Sequence, residues 1–147
     1  MEAGDLDEVM AIEEVSFPTP WSRKLFAEEL AREFSDALVA VPREGGGIQG
    51  YAVCWTVLDE SHLLNIAVRP DARGKGVGRA LLLECIRRGA RAGADRIHLE
   101  VRAGNGPALR MYEREGFSYA GFRRGYYSDT GEDAILLSRD LKESDAV

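Results

Sequence analysis

The chain has little with which to staple or anchor itself. Its two cysteines, Cys54 and Cys85, are far apart, form no Cys-x-x-Cys pair and lie in apolar segments, so neither a disulfide nor a thiolate metal site is expected. The two histidines, His62 and His98, lack the His-x-x-x-His spacing of a helical metal pair; both fall in strand-like runs and are given no chemistry. No apolar run is long enough to cross a bilayer and no signal peptide opens the sequence, so the expectation is a cytoplasmic protein without a membrane partner. Positive charge is in the minority: 19 Lys and Arg stand against 25 Asp and Glu, for a formal net charge of -6. That balance argues against the extended basic face of a nucleic-acid-binding domain and is compatible with a cationic partner, although solubility explains it as well. Repeats and low-complexity segments are also missing, and 147 residues suit a single domain over 1–141.

What is present is a regular alternation of helical and strand-like segments. Gly4 to Val15 places Leu6, Val9, Met10 and Ile12 to Val15 near one helical face, with acidic residues early, where the helix dipole favours them. Pro18 and Pro20 interrupt it, and Ser22 is a plausible cap for a second helix carrying Leu25, Phe26 and Leu30. Ala37 to Val41 and Ile48 to Val57 read as a hairpin around the Pro42–Gly47 turn, and Leu63 to Val68 as a third strand. A helix from Val77 to about Gly89, a strand over Arg96 to Val101, a short helix over Pro107 to Glu115 and strands near Ser118 to Arg124 and Asp133 to Ser138 follow. This order predicts an α+β fold with a mixed sheet and one parallel crossover. The tail, 142–147, is expected to fray.

The densest signal is Leu64-Asn-Ile-Ala-Val-Arg-Pro-Asp-Ala-Arg-Gly-Lys-Gly-Val-Gly-Arg79: a strand, a proline-marked stop, a glycine-rich basic loop and a helix start. Glycines let backbone N–H groups approach an anion, and the helix N-terminus favours negative charge. Two known phosphate loops do not fit. Lys75 is followed by Gly76, so the Ser or Thr of a P-loop is missing; Arg79 stands where the dinucleotide fingerprint needs its third glycine. Arg73-x-x-Gly76-x-Gly78 between strand and helix remains, and it resembles the acyl-CoA pyrophosphate loop of the GCN5-related N-acetyltransferases. The plain alternative is a strand-to-helix turn with solvated basic residues.

A second group makes the resemblance specific. Asn105-x-x-Ala108-x-x-x-Tyr112-Glu113-x-x-Gly116-Phe117 is similar to the family pattern in which an Asn opens a helix beside the cofactor and a Tyr on that helix faces the thioester sulfur. With Asn65-Ile-Ala-Val68, Leu99-Glu-Val-Arg102 and Arg123-Arg-Gly-Tyr-Tyr127, the match narrows to the RimI-like members, which acetylate protein N-termini, in particular the N-terminal alanine of small-subunit ribosomal protein eighteen. The resemblance covers nearly the whole chain. It implies the acyl-CoA N-acyltransferase fold, with a central mixed, mostly antiparallel sheet flanked by helices. It implies acetyl-CoA as donor, no metal, a protein or peptide N-terminus as partner, and a monomer or weak dimer.

Residue by residue, the resemblance assigns Glu100 as general base acting through water and Tyr112 as the acid that protonates the leaving sulfur. Ile66, Ala67 and Val68 would pair with the pantetheine arm, with a backbone N–H near Val68 polarising the thioester. Arg73, Gly74, Lys75, Gly76, Val77, Gly78 and Arg79 would hold the pyrophosphate, and Asn105 would contact the cofactor near the sulfur. Trp21, in the aromatic-flanked loop Phe17–Ser22, and Tyr127 are candidates for substrate binding. Each has a plainer reading: Glu100 as the polar face of a strand, Tyr112 as a core aromatic, Trp21 as interhelical packing and Tyr127 as an edge-strand packing residue. A lysine or small-molecule acetyltransferase, or an acyl-CoA sensor without catalysis, is the rival function. The family usually has a strand before its first helix; Met1 to Gly4 is too short and polar for one, so the expectation is that this strand is shortened or missing, or that the given start is late.

Overall fold

Proline and a serine cap decide the first break in the chain. The computed structural model, which describes residues 1–147, ends α1 (Leu6–Ser16) just before Pro18 and starts α2 (Arg23–Ala31) after Ser22, whose Oγ accepts from Leu25 N–H at 3.2 Å. Then come β1 (Ser35–Ala40), β2 (Gly50–Val57), β3 (Glu60–Val68), α3 (Val77–Arg91), β4 (Arg96–Arg102), α4 (Gly106–Arg114), β5 (Ser118–Tyr127) and β6 (Glu132–Asp140). The six strands form one sheet in the order β1-β2-β3-β4-β6-β5. Only β3 and β4 run parallel, joined through α3; all other pairs are antiparallel. The expected mixed sheet and its crossover are therefore what the chain forms.

One irregularity positions everything that follows. Cys54 pairs with Leu63 but Val53 pairs with Asn65, so Leu64 is an extra residue in β3. Such a bulge bends its strand and re-aims its side chains. Before it, Ser61 and Leu63 face α3; after it, Asn65 reaches Glu13 of α1 and Ala67 joins the core beneath α1 and α2. The β3–β4 ladder runs from Glu60↔Arg96 to Leu63↔Leu99 and then stops, although β3 continues to Val68 and β4 to Arg102. A wedge thus opens between the C-terminal halves of the two central strands.

A core lies on each face of the sheet. Leu63, Leu81, Leu82, Cys85, Ile97, Leu99, Tyr112 and Phe117 belong to the α3 side; Val9, Ile12, Phe26, Tyr51 and Val53 belong to the α1–α2 side. Two glycines permit these contacts. A Cβ on Gly89 would lie 2.5 Å from Ser61 Oγ, and one on Gly50 would lie 2.8 Å from the Ala67 carbonyl oxygen.

Two sequence-based expectations change, and a third holds. Val15 is 65% exposed whereas Glu13 is 1% exposed, so the inner face of α1 is set by hydrogen bonding as well as by apolar periodicity. The tail does not fray: Glu143–Ala146 forms a 3-10 turn against α3, with Arg139 bonded to Asp145 at 2.8 Å and Arg91 to the Ala146 carbonyl at 2.9 Å. As for the first strand, the segment before α1 contains a 3-10 turn, Ala3–Asp5, and the Met1 ammonium donates to the Ala37 carbonyl of β1 at 2.9 Å. No strand precedes α1, and β1 forms that edge of the sheet.

Candidate active site

The glycine loop lies where β3 leads into α3. Gly74 and Gly76 have φ of 74° and 86°, a region that costs L-residues with a Cβ and that aims successive N–H groups outward. Gly76 is also the N-cap of the 15-residue α3; it offers no side-chain cap, and no acidic residue stands in the first turn. The N-terminal N–H groups of α3 are thus left without an anionic partner from the chain, which suits a pyrophosphate. Val77 begins the helix, and a Cβ on Gly78 would stand 3.5 Å from Met111 and Val68, so the loop packs closely on β3 and α4. The basic side chains divide. Arg73 turns back to the Val68 carbonyl at 2.9 Å and Ser16 Oγ at 3.3 Å. Arg79 pairs with Glu115 at 2.6 Å and fastens the start of α3 to the end of α4, and Lys75 is exposed.

Beside the loop, Ile66, Ala67 and Val68 lie beyond the last β3–β4 pair, so their β4-facing backbone edge lines the wedge. Across it, the Asn105 side-chain oxygen caps α4 by accepting from Ala108 N–H at 3.3 Å, which leaves its amide N–H groups free. Tyr112 on α4 is 4% exposed, edge-on to Phe117 with ring centres 5.6 Å apart. Burial raises its hydroxyl above the usual phenol range, so it stays protonated. That hydroxyl has no hydrogen-bond partner in the chain and yet is not sealed from solvent, unlike Ser35 Oγ. Both properties suit a proton donor awaiting a ligand.

Glu100 sits on β4 just past the last pair with β3. Its Oε2 accepts from His62 Nε2 at 2.7 Å, and this bond holds the carboxyl below its ordinary range. Neighbouring His98 stacks on His62, with ring centroids 4.6 Å apart. Neither histidine carried a metal or catalytic spacing in the sequence; the parallel register, which pairs His62 with His98, brings them to the site. Tyr127, half-buried, is raised by burial and then by the Glu100 charge, while the Arg102 guanidinium 4.0 Å above its ring opposes the rise.

The sequence also missed what braces this face. Arg102 makes two bonds to Asp129, at 2.9 and 2.7 Å, and Asp129 accepts from Thr19 Oγ1 at 2.9 Å. The α1–α2 loop and the β5–β6 turn are thereby tied across the candidate substrate side. Trp21 packs on Phe26 at 5.2 Å, and its backbone N–H donates to Glu13 at 2.8 Å. The same buried carboxylate accepts from Asn65 Nδ2 at 2.8 Å and from the Tyr51 hydroxyl. Glu13 therefore joins α1, the Trp21 loop and the bulged half of β3. Its helical position beside apolar neighbours was the available signal, but a carboxylate there reads equally as surface.

The family model described as the acetyltransferase (GNAT) family matches residues 6–117, three quarters of the chain. The chain belongs to the GNAT family. This acetyltransferase is 38% identical over 140 residues to the [ribosomal protein bS18]-alanine N-acetyltransferase of Escherichia coli K12, covering 94% of this chain and 93% of that one. The crystal structure of the ribosomal-protein-S18-alanine N-acetyltransferase from Escherichia coli superposes with a TM-score of 0.87, over 97% of this acetyltransferase and 91% of that chain. A crystal structure of Ard1 from Thermoplasma volcanium gives a TM-score of 0.88 at 25% identity, covering 97% and 95%. The acetyltransferase thus combines the family's fold with a glycine cradle, a strand wedge and a Glu100–Tyr127–Tyr112 constellation. No helix is long and apolar enough to cross a membrane.

Proposed function

We propose that this acetyltransferase moves the acetyl group of acetyl-CoA onto the α-amine of a protein N-terminus, the N-terminal alanine of ribosomal protein bS18. The carrying observation is the 38% identity, over nearly the full length of both chains, to an enzyme named for that reaction. The cradle at Gly74 to Gly78 fits a pyrophosphate, and the open backbone edge of Ile66 to Val68 fits an amide-bearing pantetheine arm. Bound there, acetyl-CoA supplies an activated acyl carbon.

The chain's own residues do the rest. Glu100, through a water, draws a proton from the incoming ammonium, and the neutral amine nitrogen forms the new C–N bond. An N–H near Val68 stabilises charge on the acyl oxygen as it develops. Tyr112, kept protonated to that step by its raised range, gives its proton to the sulfur as the C–S bond breaks, and the second proton shed by the nitrogen as the amide forms restores it through solvent. Trp21 and Tyr127 border the acceptor side, where the Thr19–Asp129–Arg102 tie holds both loops. Substrate basicity favours an α-amine: with a pKa near 7.7 to 8.0, roughly a tenth is neutral at pH 7, against about four in ten thousand for a lysine near 10.4.

The test is incubation with acetyl-CoA and peptides beginning Ala-Arg-Tyr, following thiol release and locating the acetyl group by mass spectrometry. Acetylation of the α-nitrogen is expected. Turnover on lysine side chains or small amines, with none on any α-amine, would overturn the assignment.

A further inference from the structure

Two arginines in the segments that resemble the family pattern, Arg102 and Arg123, have no part in the chemistry set out above. Both lie on aromatic rings at the acceptor side. The Arg102 guanidinium carbon stands 4.0 Å from the Tyr127 ring centroid, that ring meets Tyr126 edge-on at 5.2 Å, and Arg123 stands 5.4 Å from the Tyr126 centroid. A continuous stack therefore runs from β4 to β5.

Strand pairing does not aim Tyr127. β5 pairs with β6 at Arg123↔Ala134 and next at Tyr127↔Glu132, so β5 advances four residues while β6 advances two. Gly125, inside this irregular stretch, has φ of 58°, and its N–H goes to the Asp133 side chain at 2.8 Å rather than into the ladder. Arg102 has the opposite character. It continues the regular β4–β6 ladder opposite Ala134, two residues beyond Glu100 and on the same face of the strand. Its side chain is 19% exposed and donates to Asp129 at 2.9 and 2.7 Å and to Thr130 Oγ1 at 3.1 Å, with Glu132 at 3.5 Å. A planar fork held at its edge by these partners presents a flat face to the ring, which a lysine ammonium cannot do. Tyr127 also senses both neighbours: burial raises its hydroxyl, the Arg102 charge opposes the rise, and the Glu100 carboxylate adds to it.

We infer that Arg102 is a positioning residue for the acceptor: it carries the fixed direction of β4 into the irregular end of β5 and sets the Tyr127 ring beside Glu100, where the incoming N-terminus lies. The inference rests on the transfer proposed above and names the residue that shapes its acceptor side. Arg102 neither touches the reacting atoms nor exchanges a proton. Its contribution is to the fit of the peptide, so it belongs to the peptide KM and not to the acetyl-CoA KM.

The test is steady-state transfer to an α-amine peptide by the wild type, Arg102→Lys, Tyr127→Leu and the double variant. Lysine keeps the charge and still reaches Asp129 but offers no plane. Arg102→Lys is expected to raise the peptide KM about tenfold, the scale of a desolvated cation–π contact, with kcat within about twofold and the acetyl-CoA KM unchanged. On the Tyr127→Leu background the same change adds less than about threefold, because the ring it positions is gone. A peptide KM equal to wild type in Arg102→Lys, an equal rise on both backgrounds, or a loss shared with the acetyl-CoA KM would rule out the positioning role while leaving N-terminal acetylation in place. Absence of wild-type turnover on any α-amine would instead remove the underlying function. A second measurement decides the contact without turnover or the Arg102→Lys variant: the Arg102 side-chain N–H resonance, shielded by the Tyr127 ring, moves downfield in Tyr127→Leu. An unmoved resonance counts against the stack.

Discussion

Glu13 shows how one side chain organises a site it does not enter. It is buried, and it accepts from Tyr51, Asn65 and the Trp21 backbone, so its removal strands three donors. Leaving buried donors unpartnered costs on the order of 1–3 kcal/mol each, partly recovered by water. Glu13→Ala is therefore expected to lower stability by about 3 kcal/mol in denaturant unfolding, with Glu13→Gln losing less. At the proposed reacting centre the expectation is kinetic instead. Tyr112→Phe and Glu100→Gln should each reduce kcat about a hundredfold or more while the melting temperature stays near wild type; rates unchanged within a few-fold would remove these residues from the mechanism. Glu100 and Tyr112 were both legible in the sequence because their spacing matches the family pattern. His62 and Glu13 were not, since their partners are distant in sequence and meet only across strands and layers.

Among the elements, α3 approaches the sheet through Gly89. Ala in an exposed helix interior is worth about 1 kcal/mol over Gly. Here the added methyl would lie 2.5 Å from Ser61 Oγ and 3.2 Å from its Cβ, an overpacking that costs roughly 1–3 kcal/mol. The clash outweighs the propensity gain, and Gly89→Ala should melt below wild type. Ser61 has little freedom to yield, because its hydroxyl bonds Thr56 at 2.7 Å. Hydrophobic period, proline and glycine placed nearly every element to within a few residues. The bulge at Leu64 escaped, since nothing in an apolar run marks which residue goes unpaired. That single extra residue turns a continuous ladder into a wedge beside the glycine cradle.

Across the whole molecule, the tie from Thr19 through Asp129 to Arg102 joins parts of the chain that no local pattern connects. Asp129→Ala should raise the peptide KM several-fold and leave the acetyl-CoA KM unchanged, since the cradle lies at the other end of the wedge. The Arg102 guanidinium holds the Asp129 carboxyl down at about 2, from 3.8. A depressed carboxyl contributes fully above its unfolded value and loses that contribution as pH falls toward the folded one. The tie is thus expected to be constant through pH 5 to 9 and to weaken only between about pH 4 and 2, which a peptide-KM series over the neutral range would check by showing no step from Asp129. By itself, the sequence determined the order of elements, the glycine cradle and the helix carrying Asn105 and Tyr112, because periodicity, φ-permissive glycines and helix caps act over a few residues. Tertiary structure alone decided the opening between β3 and β4, the His62–Glu100 contact and the two-loop tie. Strand register and layer packing are properties of contacts between distant segments, and it is these contacts that turn an anion cradle into one end of a candidate transfer site.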